Sequence, residues 1–404
     1  MSLPGFPMDR ATDRPLDPPP AYAELRESAP LTRARLWNGD TPWLVFRLAD
    51  QQAILTDRRF SADATRPGFP QQSAATAVMS RQMKDNRPFA IMDGAEHEHH
   101  RRMLVREFTH RRMQRMRPRV EQITTSLLDG IARTGPPVDL VRAYALALPS
   151  LTICELLGVP YRDHAFFQEQ TTLLATGDTD RERAFAANRE LARYMGELVA
   201  EKERSPGDDI VSRLISGQLH PGHLGRERLM STCLLLLNAG YETTANMLSL
   251  GTLALLQHPA QARELRDADS PELVENAVEE LLRYLSITHL GRRRVALEPV
   301  EIAGVTIAAG EGVILMPDAA NRDAAAFPDP DRLDVHRTEA RRHIAFGHGA
   351  HQCLGQPLAR LELQVGYRTL LRRLPTLRLA APESRPAFRP DKLIYGLEEL
   401  EVTW

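Results

Sequence analysis

The sequence predicts a mainly α-helical fold with small peripheral β-sheets. Two observations predict it: apolar residues recur at helical spacing over long stretches, and the β-rich pieces between them are few and short. Helices are expected at Ala21 to Ser28, Glu96 to Phe108, Arg111 to Ile131, Arg181 to Arg204, Arg226 to Gln257, Pro271 to Tyr284 and Gln356 to Arg373. Strands are expected within Val295 to Ile307, at Gly312 to Met316 and at Leu400 to Trp404, with Trp43 to Arg47 as a further candidate. The stretch from Met316 to Arg342, with Pro317, Pro328 and Pro330 among polar residues, reads as a long ordered coil. No internal repeat and no linker stand out, so residues 1–404 read as one domain behind an extended N-terminal segment, residues 1–20.

Composition narrows the class. With 51 basic and 53 acidic residues the net charge is −2, which excludes a wholesale nucleic-acid or anionic-membrane binder. A chain of 404 residues, 43% hydrophobic and 26% charged, is globular. It should bury roughly three quarters of its surface, enough to enclose a cofactor. Cys154, Cys233 and Cys353 lie far apart with no Cys-x-x-Cys pair, which argues against a disulfide framework and for a reducing compartment. The N-terminus carries Asp9, Arg10, Asp13 and Arg14 before its prolines, unlike a signal peptide. No run reaches 18 uninterrupted apolar residues, so a cytoplasmic protein is expected.

Four constellations carry chemistry. The first lies in the long helix from Arg226 to Gln257, where Leu234 to Leu237, Met247, Leu248 and Leu250 make most of the circumference apolar. Its middle, Ala239-Gly240-Tyr241-Glu242-Thr243-Thr244, combines a glycine costing about 1 kcal/mol of helix propensity with a carboxylate beside hydroxyls. Thr243 can bond back to the Ala239 carbonyl and so bend or open the helix. The segment fits either a functional groove or a kink whose Glu242 reaches solvent or an arginine. The second is Phe346-Gly347-His348-Gly349-Ala350-His351-Gln352-Cys353-Leu354-Gly355, a glycine-rich loop that ends where a helix begins. A thiolate there is stabilised as a nucleophile or a metal ligand, and a buried structural thiol is the other reading.

The third is Glu280 and Arg283, three apart on one helix face; alone, such a pair reads as a solvated bridge. The fourth is Asp93-Gly94-Ala95-Glu96-His97-Glu98-His99-His100-Arg101. It fails the zinc-peptidase pattern because position 101 is Arg, but its His97 and Arg101, like Arg294, can hold a carboxylate.

Together these pieces resemble the cytochrome P-450 family of haem-thiolate monooxygenases, in particular its soluble bacterial members, over nearly the whole chain. Phe-x-x-Gly-x-x-x-Cys-x-Gly is matched at Phe346, Gly349, Cys353 and Gly355. Glu-x-x-Arg at Glu280 and Arg283 precedes Asn321-Arg322-Asp323 and Phe327-Pro328-Asp329-Pro330 in the family's order. Arg66 to Pro70, Ile153 to Tyr161 and Leu281 to Ile287 are similar to the branch that hydroxylates drugs, sterol-like molecules and macrolides.

The resemblance implies haem b, iron protoporphyrin IX, buried between the long central helix and the cysteine loop, with Cys353 as its axial thiolate. It implies Phe346 beside the sulfur, Gly347, Gly355 and Ala239 against the haem, and His97, Arg101, Arg294 and His351 on the propionates. Glu280 and Arg283 become a buried pair that fixes the coil behind the haem. Glu242 and Thr243 match the acid and alcohol that deliver protons to iron-bound dioxygen. Asn238 departs from the apolar residue usual in relatives and is expected to hydrogen-bond the substrate; Tyr241 replaces a common His. Ala239, Phe89, Ile287, Thr288 and Ile394 are expected to line the substrate pocket, within the coil from Arg66 to Ile91, the segment from Phe166 to Thr176, and the stretches Ser286 to Leu290 and Leu393 to Tyr395.

The implied activity is insertion of one oxygen atom from O2 into a C–H bond, as hydroxylation or epoxidation, of a large, mostly apolar small molecule of secondary metabolism. Electrons are expected from NAD(P)H through ferredoxin reductase and ferredoxin. The ferredoxin is expected to dock on the proximal face, on the basic run from Arg101 to Arg119, with Arg106, Arg112 and Arg115 foremost. A monomer with no nucleic-acid or membrane partner is expected. Rival readings keep the haem but change the reaction to oxidative coupling, desaturation or peroxide-driven chemistry, or make the chain a non-catalytic haem sensor. The intact Glu242-Thr243 pair speaks against them.

Overall fold

The run Val313-Ile314-Leu315-Met316 shows no polar alternation, because its strand is covered on both faces. In the computed structural model, which describes residues 3–82, 87–175, 181–381, 386–390 and 392–404, Gly312–Leu315 is the middle strand of a five-stranded sheet. The order is Leu31–Arg33, Trp43–Val45, Gly312–Leu315, Arg292–Ala296, Phe60–Ser61. Trp43–Val45 runs parallel to Gly312–Leu315, and the remaining pairs are antiparallel. Val313 and Leu315 pack with Leu31, Val45, Ile54 and Phe60, while Ile314 and Met316 pack with Tyr22, Leu44 and Phe46. Alternate side chains thus enter two separate apolar clusters.

Chain contacts divide the molecule into two compact units. Residues 1–102 with 276–354 form the first and contain this sheet; residues 103–275 with 355–404 form the second. The expected strand region from Val295 to Ile307 proves to be three strands, Arg292–Ala296, Val300–Ile302 and Val305–Ile307. The first therefore begins early enough to carry Arg292, Arg293 and Arg294. The expected coil from Arg66 to Ile91 holds a helix, Ala74–Gln82, and its residues 83–86 lie outside the described residues, as does Thr176 of the segment from Phe166.

The second unit is helical apart from a three-stranded sheet, Val138–Asp139, Glu401–Thr403 and Arg378–Leu379. The central helix spans Arg226–Gln257 without a break. Tyr144 Oη donates to the Gly366 carbonyl at 2.7 Å, and Tyr367 Oη donates to the Met247 carbonyl. A methyl group at Gly251 would lie 2.0 Å from the Tyr367 hydroxyl, so this glycine serves close helix packing. The helix Ala147–Leu157, absent from the expectation, is buried nearly all round, so it has no amphipathic stripe for periodicity to detect.

In the first unit, the coil after Met316 is organised by one charged pair. Glu280 and Arg283 are both fully buried, with Arg283 Nε 2.7 Å and Nη2 2.8 Å from the two carboxylate oxygens. Arg283 donates onward to the carbonyls of Asn321 (2.8 Å), Pro330 (2.7 Å) and Arg332 (3.2 Å). Glu280 accepts from the Asp334 amide at 2.9 Å and from Arg337 Nε at 3.2 Å. Arg337 in turn donates to the carbonyls of Pro328, Asp329 and Arg332. Coil carbonyls that regular structure would have satisfied are met instead by two guanidinium forks. The solvated bridge that spacing alone suggests is thereby excluded. Glu280→Gln keeps the shape but strips the counter-charge from Arg283, and should destabilise the protein by about 3–5 kcal/mol, measured by chemical unfolding followed by circular dichroism.

Candidate active site

Cysteine 353 ends a loop whose path is set by two glycines with positive φ, Gly347 at +76° and Gly349 at +69°. A side chain at Gly349 would lie 2.5 Å from the Leu55 carbonyl oxygen. Gly355, expected to contribute the same freedom, has φ −78° and starts the helix Gln356–Arg373, so conformation does not require a glycine there. The Cys353 amide donates to the Phe346 carbonyl at 2.8 Å, closing the loop with the thiol on the exposed side.

Around this loop the first unit gathers His97, Arg101, Arg294 and His351. The His97 and His351 rings stack at 4.1 Å, Phe89 stacks on the other side of His97 at 6.4 Å, and Arg101 donates to the Gln352 carbonyl at 2.6 Å. Phe89 is thus a buried wall for a histidine. Burial, with the nearby Arg294, His97 and Arg101, pushes the His351 pKa down to about 3. Burial also lowers Arg294 to about 10. Arg292 joins the cluster unforeseen: Nη2 donates to the Ala345 carbonyl at 2.6 Å, and its charge, like that of Arg101, acts on Cys353. Among the described residues none of these five cationic or imidazole groups has an ion pair, and the buried His97 Nε2 and Arg292 Nη1 have no hydrogen-bond partner. Asp93, the acid whose charge reaches His97 and Arg294, is already hydrogen-bonded by Ser61 and the Ala62 amide. Desolvated cations without a counter-charge are costly, and this arrangement fits a ligand that brings its own carboxylates.

The second unit holds the acid and the alcohol. Thr243 Oγ1 donates to the Ala239 carbonyl at 2.9 Å, as its spacing requires, yet the helix stays continuous through this turn and is not opened. A methyl group at Gly240 would sit 3.3 Å from the Ile153 side chain, so this glycine is matched to a packed neighbour. Burial raises the Glu242 pKa, and Arg389 and Lys392 pull it back. Asn238 Oδ1 is buried without a hydrogen-bond partner.

One acid was not foreseen. Glu362 is fully enclosed, receives a hydrogen bond from Thr244, and is pushed up to about 8 by burial. Its sequence signal was present as a carboxylate between Leu361 and Leu363 on a buried helix face.

Of the remaining expected residues, Ile287 and Thr288 are half-buried in the first unit, and Ala239 and Ile394 belong to the second, Ala239 exposed and Ile394 half-buried. Arg106 and Arg115 are exposed. Arg112, expected beside them as a docking cation, is half-buried and ion-paired to Glu107, which also binds Arg213 at 2.7 Å.

The sequence profile described as Cytochrome P450 matches residues 161–383. Cytochrome P450 GfsF of Streptomyces halstedii is 48% identical over 402 residues, covering 99% of this chain and 96% of that protein. The chain belongs to the cytochrome P450 family. The GfsF crystal structure superposes on this P450 with a TM-score of 0.94, covering 100% of both chains. Pentalenic acid synthase of Streptomyces avermitilis is 48% identical, over 99% of this chain and 97% of its own. The mycinamicin VIII C21 methyl hydroxylase of Micromonospora griseorubida is 40% identical over 99% of both, and its structure has a TM-score of 0.89. The P450 is accordingly an oxidoreductase, a monooxygenase that uses haem and O2 and works with a redox partner and a small-molecule substrate.

Glu362 makes a prediction of definite sign. Its folded pKa is raised, so between the ordinary carboxylate range and about 8 the folded protein holds a proton that the unfolded chain releases. That contribution is complete below the ordinary range and is lost as pH rises through about 8. Glu362→Gln should therefore flatten the fall of Tm from pH 6 to pH 9 relative to the parent enzyme.

Proposed function

We propose that this P450 hydroxylates a large, mostly apolar natural product of macrolide or polycyclic type, at a haem b held by Cys353, with electrons from a ferredoxin. The observation that carries the haem assignment is the cluster of Arg101, Arg292 and Arg294, without an ion pair among the described residues, and the two histidines His97 and His351 beside Cys353, which suits two propionates. His97, Arg101, Arg294 and His351 hold those carboxylates, and Phe89 shields them from water. Cys353 binds iron as a thiolate, favoured by the charges of Arg101 and Arg292. Phe346, whose carbonyl ties the Cys353 amide, would pack beside the sulfur, and Gly347, Gly355 and Ala239 would lie against the haem. When bound, the haem supplies the oxidation chemistry, activating O2 and passing one oxygen atom to carbon. Residues 1–404 act as one catalytic domain.

Glu242 supplies protons and Thr243, whose hydroxyl is held by the Ala239 carbonyl, hands them on. Asn238 narrows the substrate class. Its orphaned atom is an acceptor, so the substrate places a hydroxyl or N–H donor near the oxidised carbon, while Ile287, Thr288 and Ile394 contact its apolar body. Pentalenic acid synthase and the mycinamicin hydroxylase, both aligned along nearly this whole chain, support a natural product of such a kind. NAD(P)H, through a ferredoxin reductase, reduces the ferredoxin, which docks on exposed Arg106 and Arg115; Arg112 braces that surface through Glu107. The enzyme works as a cytoplasmic monomer. No helix among the described residues is long and apolar enough to cross a membrane.

Three outcomes follow. Cys353→Ser should lose the red-shifted Soret band that the reduced carbon monoxide complex of a thiolate-ligated haem displays. In a spin-state titration with hydroxylated macrolides and terpenoids, Asn238→Val should weaken hydroxyl-bearing ligands about tenfold and leave their deoxy analogues unchanged. Arg106→Glu with Arg115→Glu should slow reduction by ferredoxin at low salt, with the difference closing as ionic strength rises.

A further inference from the structure

The C-terminal hairpin of the second unit meets the central helix one turn beyond Glu242. Among residues 387–390 and 392–398, Arg389 N donates to the Gly396 carbonyl at 3.0 Å and Glu398 N to the Ala387 carbonyl at 2.9 Å, while the Phe388 and Tyr395 rings stack at 5.5 Å. The hairpin thereby sets Arg389, 6% exposed, against Asn246, 2% exposed, with Nη2 donating to Asn246 Oδ1. The amide of Asn246 then donates back to the Glu242 carbonyl at 2.9 Å. Gly396 makes this approach possible: a Cβ there would lie 1.7 Å from Asn246 Oδ1 and 2.8 Å from Arg389 Nη2. Three features of separate origin, a buried arginine, an amide and a glycine, thus converge on the backbone of one acid.

We propose that Arg389 is a positioning residue for Glu242, gripping Asn246, whose amide holds the Glu242 backbone carbonyl, and so tying the helical turn that carries this acid to the hairpin that carries Ile394. This rests on the reading of Glu242 as the proton source. The charges agree with the geometry. Arg389 and Lys392 of the hairpin favour the ionised acid against its burial, Tyr241 of the helix neighbours it, and Glu398 of the hairpin acts on Arg389. Neither Arg389 nor Gly396 stood out in the sequence, since both lie in irregular, proline-flanked chain.

The test uses the haem-loaded enzyme. Infrared difference spectra taken through a pH titration contain a carboxyl band, assigned to Glu242 by its loss in Glu242→Gln. Arg389→Gln should move that band's midpoint to higher pH, and Arg389→Lys should return it most of the way. If Arg389→Gln loads no haem, Arg389→Lys and Asn246→Ala, which releases the grip from the helix side, are compared with the parent, and each should displace the band. An unmoved midpoint in the variants that load haem overturns the proposal. NADH oxidation through ferredoxin and its reductase, in H2O and D2O, gives a second reading. The double variant Arg389→Gln with Glu242→Gln should be no slower than Glu242→Gln alone; losses that multiply overturn a positioning role. A Glu242→Gln enzyme with parental rate and isotope effect overturns the proton-source reading instead, and the infrared midpoint still reports on Arg389.

Discussion

A charge taken out of water must be met by another charge or by hydrogen bonds, and each unit of this P450 is arranged around that requirement. In the first unit the requirement is met internally at one place and left open at another. Arg283 and Arg337 are buried against Glu280, and their remaining donors satisfy the carbonyls of a coil that has no regular structure of its own. The pair is therefore as much a backbone device as an ion pair. At the cysteine loop Arg101, Arg292 and Arg294 have no ion pair among the described residues, an arrangement that fits a ligand bringing its own carboxylates.

The second unit holds two acids that burial pushes in the same direction. The charges of Arg389 and Lys392 pull Glu242 part of the way back, whereas Glu362, with a hydrogen bond from Thr244, is pushed up to about 8. The two are linked through adjacent residues of one helix, since Thr244, which bonds Glu362, follows Glu242 and Thr243.

Much of the fold was legible because its long helices obey local rules. Arg226–Gln257 and Gln356–Arg373 carry their boundaries in periodicity and in Gly or Pro at their starts, and Arg181–Arg204 in periodicity alone. Ala147–Leu157 was hidden because complete burial erases periodicity, and the three arginines from Arg292 were left outside their strand because an apolar run was taken as its beginning. At the site, motif and resemblance singled out Cys353, His97, Arg101, Arg294 and His351, and the structure gathers the last four around the cysteine loop. Glu242 shows how two readings can merge: the acid expected either to serve chemistry or to meet an arginine has Arg389 among the charges acting on it.

The sequence by itself determined where most helices run, that one thiol lies in a glycine-framed loop before a helix, and that the acid and alcohol are neighbours, since these depend on residues close in the chain. Tertiary structure decided which charges lose their water. Glu280, a solvated bridge by spacing alone and a buried pair by resemblance, is a buried hub, Arg112 is ion-paired to Glu107, and Glu362 is an enclosed acid pushed up to about 8. Desolvation depends on what other segments bring to a residue, and local sequence does not contain that information.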